Sequence, residues 1–390
     1  MSKHTYGVAL DIGTTTLSAG LVSLPDGVLS AVVSSVNRGR RFGADILSRL
    51  SAARSGDAAR LQALLQEDAD QLIARLLTEQ GVEPTAVTRM VVAANTTMQH
   101  LLLGYNTATL GVAPFLPIET APPTKNYPQI FGKDTLSCAV CFVPSASAFI
   151  GGDVVGGALT VEVSPPWLLI DLGTNGELLL HTGDRLLATS VAAGPAFEGA
   201  CLSCGMAAVE GAVSRVRMRG FSPLCRTIGD KPPLGLCGSG AVEALYELRR
   251  AGLVDRNGTL HERYADGFPL TDGVRLTQED IRQLQMAKAA VRVGVDRLLE
   301  TASLPPSAVT AVLAGGFGAE LDTDRAKGIG LLPAEMPAVA GGNTALLGAL
   351  RLVADRSLYD QARSLAHGIE VINLAIDPRF EGEYMGNMSL

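Results

Sequence analysis

The stretch Val8-Ala9-Leu10-Asp11-Ile12-Gly13-Thr14-Thr15-Thr16 decides the fold that we predict for this chain. An apolar run ends in an acid, a glycine and three threonines, and a second apolar run begins at Leu17. A buried strand that turns at Gly13 directs backbone N–H groups and hydroxyls toward one point, which suits a phosphate. Asp11 can hold a hydrated magnesium ion, because Mg²⁺ prefers oxygen ligands and retains its waters. Taken alone, the stretch is equally compatible with an ordinary hairpin turn.

The same pattern returns in the second half of the chain as Leu168-Leu169-Ile170-Asp171-Leu172-Gly173-Thr174-Asn175-Gly176. In both halves the glycine turn is followed by an apolar strand, a tight turn and another apolar strand. The tight turns are Pro25-Asp26-Gly27 and Thr182-Gly183-Asp184. A repeated unit of this kind indicates two similar domains that face each other, with both glycine turns gripping one ligand.

Length, composition and charge narrow the class of protein. A chain of 390 residues is long enough for two domains with ample cores, which we place at residues 1–163 and 164–390; a C-terminal segment that crosses back to the first domain is the alternative. The composition, 47% apolar with only 5% aromatic residues, is typical of an α/β protein. A net charge of −7 lacks the excess of positive charge that is typical of nucleic-acid-binding proteins, so we expect no nucleic-acid partner. We expect a cytoplasmic protein without a membrane segment, because there is no leader and no apolar run of ~20 residues.

Three further stretches carry candidate ligand contacts. Asn95-Thr96-Thr97 follows an apolar strand and either caps a helix or faces a ligand. Gly238 and Ser239 open a helix, where the missing side chain admits an anion to the free N–H groups; a tight loop with a capping serine is the alternative. Gly315-Gly316-Phe317 ends a strand, and its glycines let the backbone lie flat against a ligand such as a purine ring.

One long helix is predicted from a capping-box start at Thr277 to about Glu300. Lys288 lies off its apolar stripe, so we expect a solvated side chain, with contact to a nucleotide ribose or phosphate as the alternative. A second, glycine-rich helix is predicted over residues 145–159, and it carries Asp153.

The order of two phosphate turns followed by a strand and Gly-Gly resembles the actin, sugar-kinase and heat-shock ATPase superfamily. The resemblance implies an α/β fold with two ribonuclease-H-like lobes of the actin-like type around a nucleotide cleft that holds ATP and Mg²⁺. By this analogy Asp11 and Asp171 are catalytic and lie near the metal. The residues assigned to the nucleotide are Gly13, Thr14, Thr15, Thr16, Gly173, Thr174, Asn175, Gly238, Ser239, Lys288, Gly315, Gly316 and Phe317.

A narrower resemblance extends from near the first residue to near the last. The chain is similar to the C-terminal ATPase domain of the reductive activators of corrinoid proteins. Members of that family use ATP to drive an uphill electron transfer that restores cob(II) to cob(I) for methyl transfer, which implies a corrinoid partner from a methyltransferase system. The runs that carry the resemblance are DIGTTT, RFGADILSRL, NTTMQHLLLG, DLGTNGE, AAGPAFEGA, GLCGSG, AKAAVRVG, LAGGFG and IDPRFEGEY.

The electron donor is the point at which the sequence departs from that family. Its members usually carry an N-terminal ferredoxin-like domain with an iron–sulfur cluster, whereas Asp11 here lies almost at the start. Three explanations stay open: a separate iron–sulfur protein, a chain that only remodels the corrinoid protein, or a cluster on its own cysteines. Two C-x-x-C pairs, Cys138/Cys141 and Cys201/Cys204, can in principle hold zinc or a cluster. We expect no cluster on this chain; a homodimer bridged by one is a minor variant.

Hydrolysis of ATP requires an acid that aligns the attacking water. The candidates, in order of preference, are Glu177, Asp153 and Glu198. The first alternative function is a small-molecule kinase of the sugar- or acetate-kinase type, which needs no protein partner. The second is a nucleotide-gated remodelling ATPase without a redox role.

Overall fold

Two sheets with the same order of strands organise the chain. The computed structural model describes residues 5–24, 26–315 and 321–390. Unit 1 consists of Met1–Glu162 with Thr344–Val371, and unit 2 of Val163–Asn343 with Ile372–Leu390. Residues 344–371 therefore group with the first half of the chain, and residues 372–390 group with the second.

The strands and helices are numbered here in chain order. The strands are β1 (Thr5–Ile12), β2 (Thr16–Leu24), β3 (Leu29–Val36), β4 (Val87–Ala94), β5 (Lys125–Asn126), β6 (Ala139–Phe142), β7 (Trp167–Leu172), β8 (Gly176–His181), β9 (Leu186–Val191), β10 (Ala212–Arg219), β11 (Ser222–Thr227), β12 (Gly235–Leu236), β13 (Phe268–Thr271), β14 (Val274–Leu276), β15 (Thr310–Ala314), β16 (Ala338–Gly342) and β17 (Ile369–Val371). The helices are α1 (Ile46–Ala52), α2 (Ala58–Gln80), α3 (Thr96–Leu103), α4 (Tyr127–Phe131), α5 (Gly152–Ala158), α6 (Gly238–Arg250), α7 (Gln278–Ala302), α8 (Thr323–Gly328), α9 (Thr344–Ala354), α10 (Leu358–Gly368) and α11 (Phe380–Gly386).

In unit 1 the strands follow the order β3-β2-β1-β4-β6-β5. Strands β1, β2 and β3 form an antiparallel meander, while β4 and β6 continue the sheet parallel to β1. Both faces of β1 are covered, which explains why its sequence is a nearly continuous apolar run. One face packs on α2, α3 and α4, and the other on α5, α9 and α10.

Five strands of unit 2 repeat part of this arrangement: the order β9-β8-β7-β15-β16 corresponds to β3-β2-β1-β4-β6 of unit 1. The meander β7-β8-β9 is antiparallel, and β15 and β16 are parallel to β7. Helix α7 packs against β8 and β9, where Gly176 and Gly294 give room to Val291, Leu178 and Val191. The shared strand order confirms the prediction of an actin-like α/β fold built from a repeated unit.

Two helix predictions have different outcomes. The capping box of α7 is confirmed, because Asp280 N donates to Thr277 Oγ1 at 3.2 Å and Thr277 N donates to Asp280 Oδ2 at 2.8 Å. The helix expected over residues 145–159 is wrong in its first half, since α5 begins only at Gly152. Ser147 turns the preceding segment instead, because its Oγ accepts from Phe149 N and Ile150 N. Among the described residues, none of the helices has both the length and the apolar character to cross a bilayer.

Candidate functional site

The first phosphate turn, Asp11–Thr16, joins β1 to β2. Gly13 N donates to Thr16 O at 2.9 Å, and a Cβ on Gly13 would lie 2.9 Å from the same oxygen, so the tight closure requires a glycine. Asp11, Thr14 and Thr15 are half-buried, and Thr16 is exposed. The turn thus leaves a carboxylate and hydroxyls at the C-terminal end of β1, as predicted.

The carbonyl oxygens of this turn are held by two buried side chains. Asn37 Nδ2 donates to Gly13 O at 2.9 Å, and the Asn37 backbone N donates to Thr15 O at 2.9 Å. The guanidinium of Arg49, which is fully buried, donates to the carbonyl of Thr14. Arg49 also donates through Nε to Gly43 O at 3.1 Å. These hydrogen bonds fix the backbone carbonyls of Gly13, Thr14 and Thr15. The backbone amides between these carbonyls therefore have a fixed orientation.

The strand next to β1 ends beside this turn. Asn95 follows β4 and caps α3, because its Oδ1 accepts from Met98 N at 2.9 Å. Its Nδ2 donates to Thr14 Oγ1 at 3.3 Å, so the cap and the contact with the turn coexist. Asp153 lies close to Asn95. A Cβ added to Gly151 would be 2.5 Å from Asn95 Cα and 2.6 Å from Asp153 Oδ1, so both residues contact the same side of this glycine. Burial raises the pKa of Asp153 to about 6, although its bond from Val154 N opposes the shift.

The second phosphate turn, Asp171–Gly176, repeats the closure in unit 2. Gly173 N donates to Asn175 O at 3.0 Å. Thr174 Oγ1 donates to Glu198 Oε2 at 2.7 Å, so Glu198 is held against the turn. Asp171 and Glu177 are direct partners in the antiparallel register of β7 and β8, which places the two carboxylates on one face of the sheet. Three acids therefore surround this turn.

Gly315 follows β15 and lies against the same turn. Its φ is +88°, and a Cβ there would be 2.5 Å from Asp171 Oδ1 and 2.9 Å from Leu172 O. The position corresponds to Asn95 in unit 1, since each residue directly follows the strand parallel to the one that bears the turn. The predicted contacts of Gly316 and Phe317 lie outside the described residues.

Three further predicted ligand contacts of unit 2 are Gly238, Ser239 and Lys288. A Cβ on Gly238 would be 1.8 Å from Phe197 O, so this glycine lets α6 pack behind the loop that carries Glu198. Ser239 is buried, with its Oγ 3.3 Å from Cys237 Sγ. Lys288 is only 1% exposed, and its Nζ donates to the carbonyl of Ser389, so the expected solvated side chain is wrong. Burial lowers the pKa of Lys288 to about 8, with a smaller contribution from Arg292.

The two cysteine pairs lie in different units. Cys138 and Cys141 belong to unit 1, and Cys201 and Cys204 to unit 2. Within residues 5–24, 26–315 and 321–390, no group of three or more histidine, cysteine or acidic side chains is arranged to hold a metal. Cys204 Sγ donates instead to Gly273 O at 3.6 Å.

Asn37 and Arg49 are functional candidates that the sequence reasoning did not identify. The run RFGADILSRL contains Arg49, but its spacing shows only a capped helix; Asp45 Oδ1 indeed accepts from Ser48 N at 2.8 Å. One feature of the sequence could have indicated the role of Arg49, namely that a charged residue lies on the apolar side of the short helix α1. Nothing local shows that its partner is a carbonyl 35 residues earlier.

Comparisons with known proteins agree over the full length. The model of the RACo middle region matches residues 6–165, and the model of the C-terminal domain of RACo, the ASKHA domain, matches residues 166–390. The corrinoid activation enzyme RamQ of Eubacterium limosum is 31% identical, over 99% of this chain and 70% of the relative. The [Co(II) methylated amine-specific corrinoid protein] reductase of Methanosarcina barkeri is 25% identical, over 98% of this chain and 77% of the relative. A solved reductive activator for corrinoid, iron–sulfur protein covers 100% of this chain and 67% of its own, with a TM-score of 0.92 and 30% identity.

Proposed function

We propose a function from one premise: this chain belongs to the RACo family, because the two regional models together match residues 6–390. We infer that it binds ATP with Mg²⁺ and couples hydrolysis to the reductive activation of a corrinoid protein, whose cobalt passes from cob(II) to cob(I). The observation that carries the proposal is the glycine turn with its strand-end acid, built once in each unit of a chain similar throughout to named corrinoid activators.

The donor set of each turn fits a metal-bound triphosphate. Asp11 and Asp171 offer carboxylates at strand ends, and Thr14, Thr15 and Thr174 offer hydroxyls beside backbone amides. These are the groups that bind phosphate oxygens and hydrated Mg²⁺. Bound Mg²⁺ supplies charge neutralisation on the phosphate oxygens. The fixed amides of both turns are proposed to stabilise the charge that develops as water attacks the γ-phosphorus and ADP leaves with phosphate as the other product.

Glu177 is our proposed residue for aligning the water, with Asp153 and Glu198 as alternatives. The three acids differ in a property that can be measured, because Asp153 has its pKa raised to about 6. If Asp153 accepts the proton of the attacking water, kcat falls as the pH drops through about 6, and Asp153→Asn removes this limb together with most of the activity. If Glu177 has the role, Glu177→Gln lowers kcat by about 10²-fold or more, whereas Asp153→Asn leaves most of the activity and the wild-type kcat shows no limb near pH 6.

Glu198→Gln is the comparison variant for these acids. A glutamine can still accept from Thr174 Oγ1 through its amide oxygen, so the loop stays in place while the charge is removed. We expect a smaller decrease in kcat than for Glu177→Gln. A larger decrease would move the water-aligning role to Glu198.

ATP hydrolysis is coupled to activation through a difference in affinity: the chain binds the corrinoid protein with a different free energy before and after hydrolysis. Docking of the activator alters the ligation of the cobalt and so its potential, and one electron then passes from a reduced donor to cob(II). We propose that this donor is a separate iron–sulfur protein. The expected result is that the purified chain alone supports no reduction and that adding a reduced ferredoxin restores it, whereas an iron–sulfur absorption spectrum of the anaerobically purified chain would contradict a separate donor.

The rate of ATP turnover tests the proposal against a kinase. Turnover is measured for the chain alone, with a corrinoid protein in the cob(II) state, and with a panel of sugars and short carboxylates. We expect stimulation by the corrinoid protein only. Stimulation by a sugar or an acid, with formation of its phosphate ester or acyl phosphate, would establish a small-molecule kinase instead. Stimulated turnover without any reduction of cobalt in the presence of donor would indicate remodelling only.

A further inference from the structure

A cavity of about 440 Å³ lies in unit 1 at the end of the sheet opposite the first phosphate turn. The cavity is lined by residues at the start of the three parallel strands: Thr5 of β1, Thr88 of β4 and Ala139 of β6. The first phosphate turn, in contrast, follows the last residue of β1. At about 3.3 Å per residue, the seven steps of β1 separate the two ends by roughly 23 Å. The cavity is therefore distinct from the proposed phosphate contacts of this unit.

The lining of the cavity is cationic and polar on the side of α10. Arg89 comes from β4, Arg356 precedes α10, and Tyr359 lies in its first turn. A neighbouring cavity of about 290 Å³ shares Arg356 and Tyr359 and adds Arg363, with Asp360 as its acid. Burial raises the pKa of Tyr359, so its hydroxyl is protonated and available as a donor.

Two buried donors in this lining have no oxygen or nitrogen acceptor among the described residues, although the Cys141 thiol hydrogen-bonds the Tyr359 side chain. They are the hydroxyl of Tyr359 and Nε of Arg89. Arg89 is anchored elsewhere, since its Nη2 donates to Ala354 O at 3.3 Å. Cys141 lies beside Tyr359, but a thiol is a weak acceptor, and its Sγ is already 3.3 Å from Thr124 Oγ1. Because unpaired buried polar atoms are costly and rare, two of them on the wall of one cavity call for an acceptor inside it.

We propose that this cavity binds a small anion, a carboxylate or phosphate group of a small molecule, through Tyr359 and Arg89. A neutral hydroxyl and a guanidinium both donate, and an anionic oxygen accepts from both. Arg356 and Arg363 increase the positive charge at its rim.

Thermal unfolding with added anions tests this site. The full chain is titrated with inorganic phosphate, sulfate and acetate at constant ionic strength, with chloride as the reference. We expect the Tm to rise progressively with at least one of these anions, because a ligand that binds only the folded state stabilises it by mass action. Comparison of phosphate with acetate distinguishes the two anion classes. The absence of a rise with all three anions would overturn the proposal, and water alone would then fill the cavity.

Tyr359→Phe and Tyr127→Phe form a matched pair. Tyr127 is a buried tyrosine of the same unit whose hydroxyl donates to Asp70 Oδ1 at 2.8 Å. Removing that hydroxyl breaks a bond, so Tyr127→Phe lowers the Tm but preserves the anion response. Tyr359→Phe removes a donor whose partner is only the Cys141 thiol, a weak acceptor, so it leaves the Tm nearly unchanged without anion and abolishes the response. An anion response that survives in Tyr359→Phe, or a large loss of Tm in that variant, would contradict the assignment.

Arg356→Met supplies a second readout that does not depend on the tyrosine. Arg356 is exposed, so the variant folds, and we expect a several-fold weaker anion response. The matched control is Arg75→Met on α2, where the exposed arginine donates to Ser34 O at 2.8 Å. Phosphate can also occupy the first phosphate turn, so Thr14→Val is included. A response that disappears in Thr14→Val and persists in Tyr359→Phe would place the anion at that turn and refute the proposal.

Discussion

Arg49 links a buried positive charge to the backbone of the first phosphate turn. Its guanidinium donates to the carbonyls of Thr14 and Gly43, and Nη1 lies 3.3 Å from Met98 Sδ. A cation directly behind the turn both fixes the amides and favours a negative ligand on their other side. Because burying a charge is costly, we propose that Arg49 serves ligand binding as well as stability.

Replacing Arg49 tests this role. Arg49→Met keeps much of the side-chain volume but leaves the Thr14 and Gly43 carbonyls without a donor, and we expect a loss of about 2 to 4 kcal/mol in the free energy of unfolding. We expect the Kd for ATP with Mg²⁺ to rise about tenfold or more, with partial rescue by Arg49→Lys. Calorimetry and urea unfolding measure the two effects. An ATP affinity within twofold of the wild type, as expected for Arg75→Met, would show that Arg49 is only structural.

Lys288 gives a pH-dependent test at the scale of a single residue. Its folded-state pKa of about 8 lies below the usual 10.5, so between these values the unfolded chain holds a proton that the folded chain has lost. Stability therefore rises with pH in this window. Relative to Lys288→Met, the wild-type free energy of unfolding is expected to increase by about 1.5 kcal/mol from about pH 8 to about pH 9.5. Parallel curves for the two proteins would refute the lowered pKa.

At the scale of elements, Gly315 shows how a strand end is fitted to the second phosphate turn. Both its φ of +88° and the proximity of Asp171 Oδ1 exclude a side chain. Gly183 is the matched control, since its φ is +114° and nothing lies within 4 Å of a Cβ there. We expect Gly183→Ala to cost about 1 kcal/mol from backbone strain alone.

Gly315→Ala is expected to cost more and to affect binding. The strain adds to a clash with the Asp171 carboxylate and the Leu172 backbone, so we expect a loss of about 2 to 3 kcal/mol in the free energy of unfolding. ATP binding should weaken markedly in Gly315→Ala and stay unchanged in Gly183→Ala. Urea unfolding and calorimetry of the two variants provide the measurements. Equal stability losses and unchanged ATP affinity in both would contradict the close fit.

Elements with strong local signals could be predicted from the sequence. Both meanders, the long helices α2 and α7, and the capping box at Thr277 follow from apolar periodicity and turn chemistry. The helix over residues 145–159 failed because Ser147 hydrogen-bonds the local backbone and delays the helix to Gly152. The contact of Gly238 with the Phe197 carbonyl is a long-range feature that the sequence did not show, and its proposed role in anion binding stays a prediction.

At the scale of the whole molecule, the repeat in the sequence predicted two units with one plan, and both sheets have it. Long-range partners could not be predicted. The sequence allowed for a C-terminal segment that returns to the first domain, but it did not show that residues 344–371 return or that α9 packs on β1 and β4. The burial of Lys288 likewise depends on the C-terminal residues, where Gln285 Nε2 donates to Met388 O at 2.7 Å.

The appearance of cob(I) under anaerobic conditions tests the central claim most directly. A corrinoid protein in the cob(II) state is mixed with this chain and a reduced iron–sulfur donor, and the absorbance of cob(I) is followed with ATP, with a non-hydrolysable analogue and without nucleotide. We predict cob(I) only with hydrolysable ATP, and none with Asp11→Asn. Equal formation of cob(I) without ATP, or none with the complete mixture, would contradict the account.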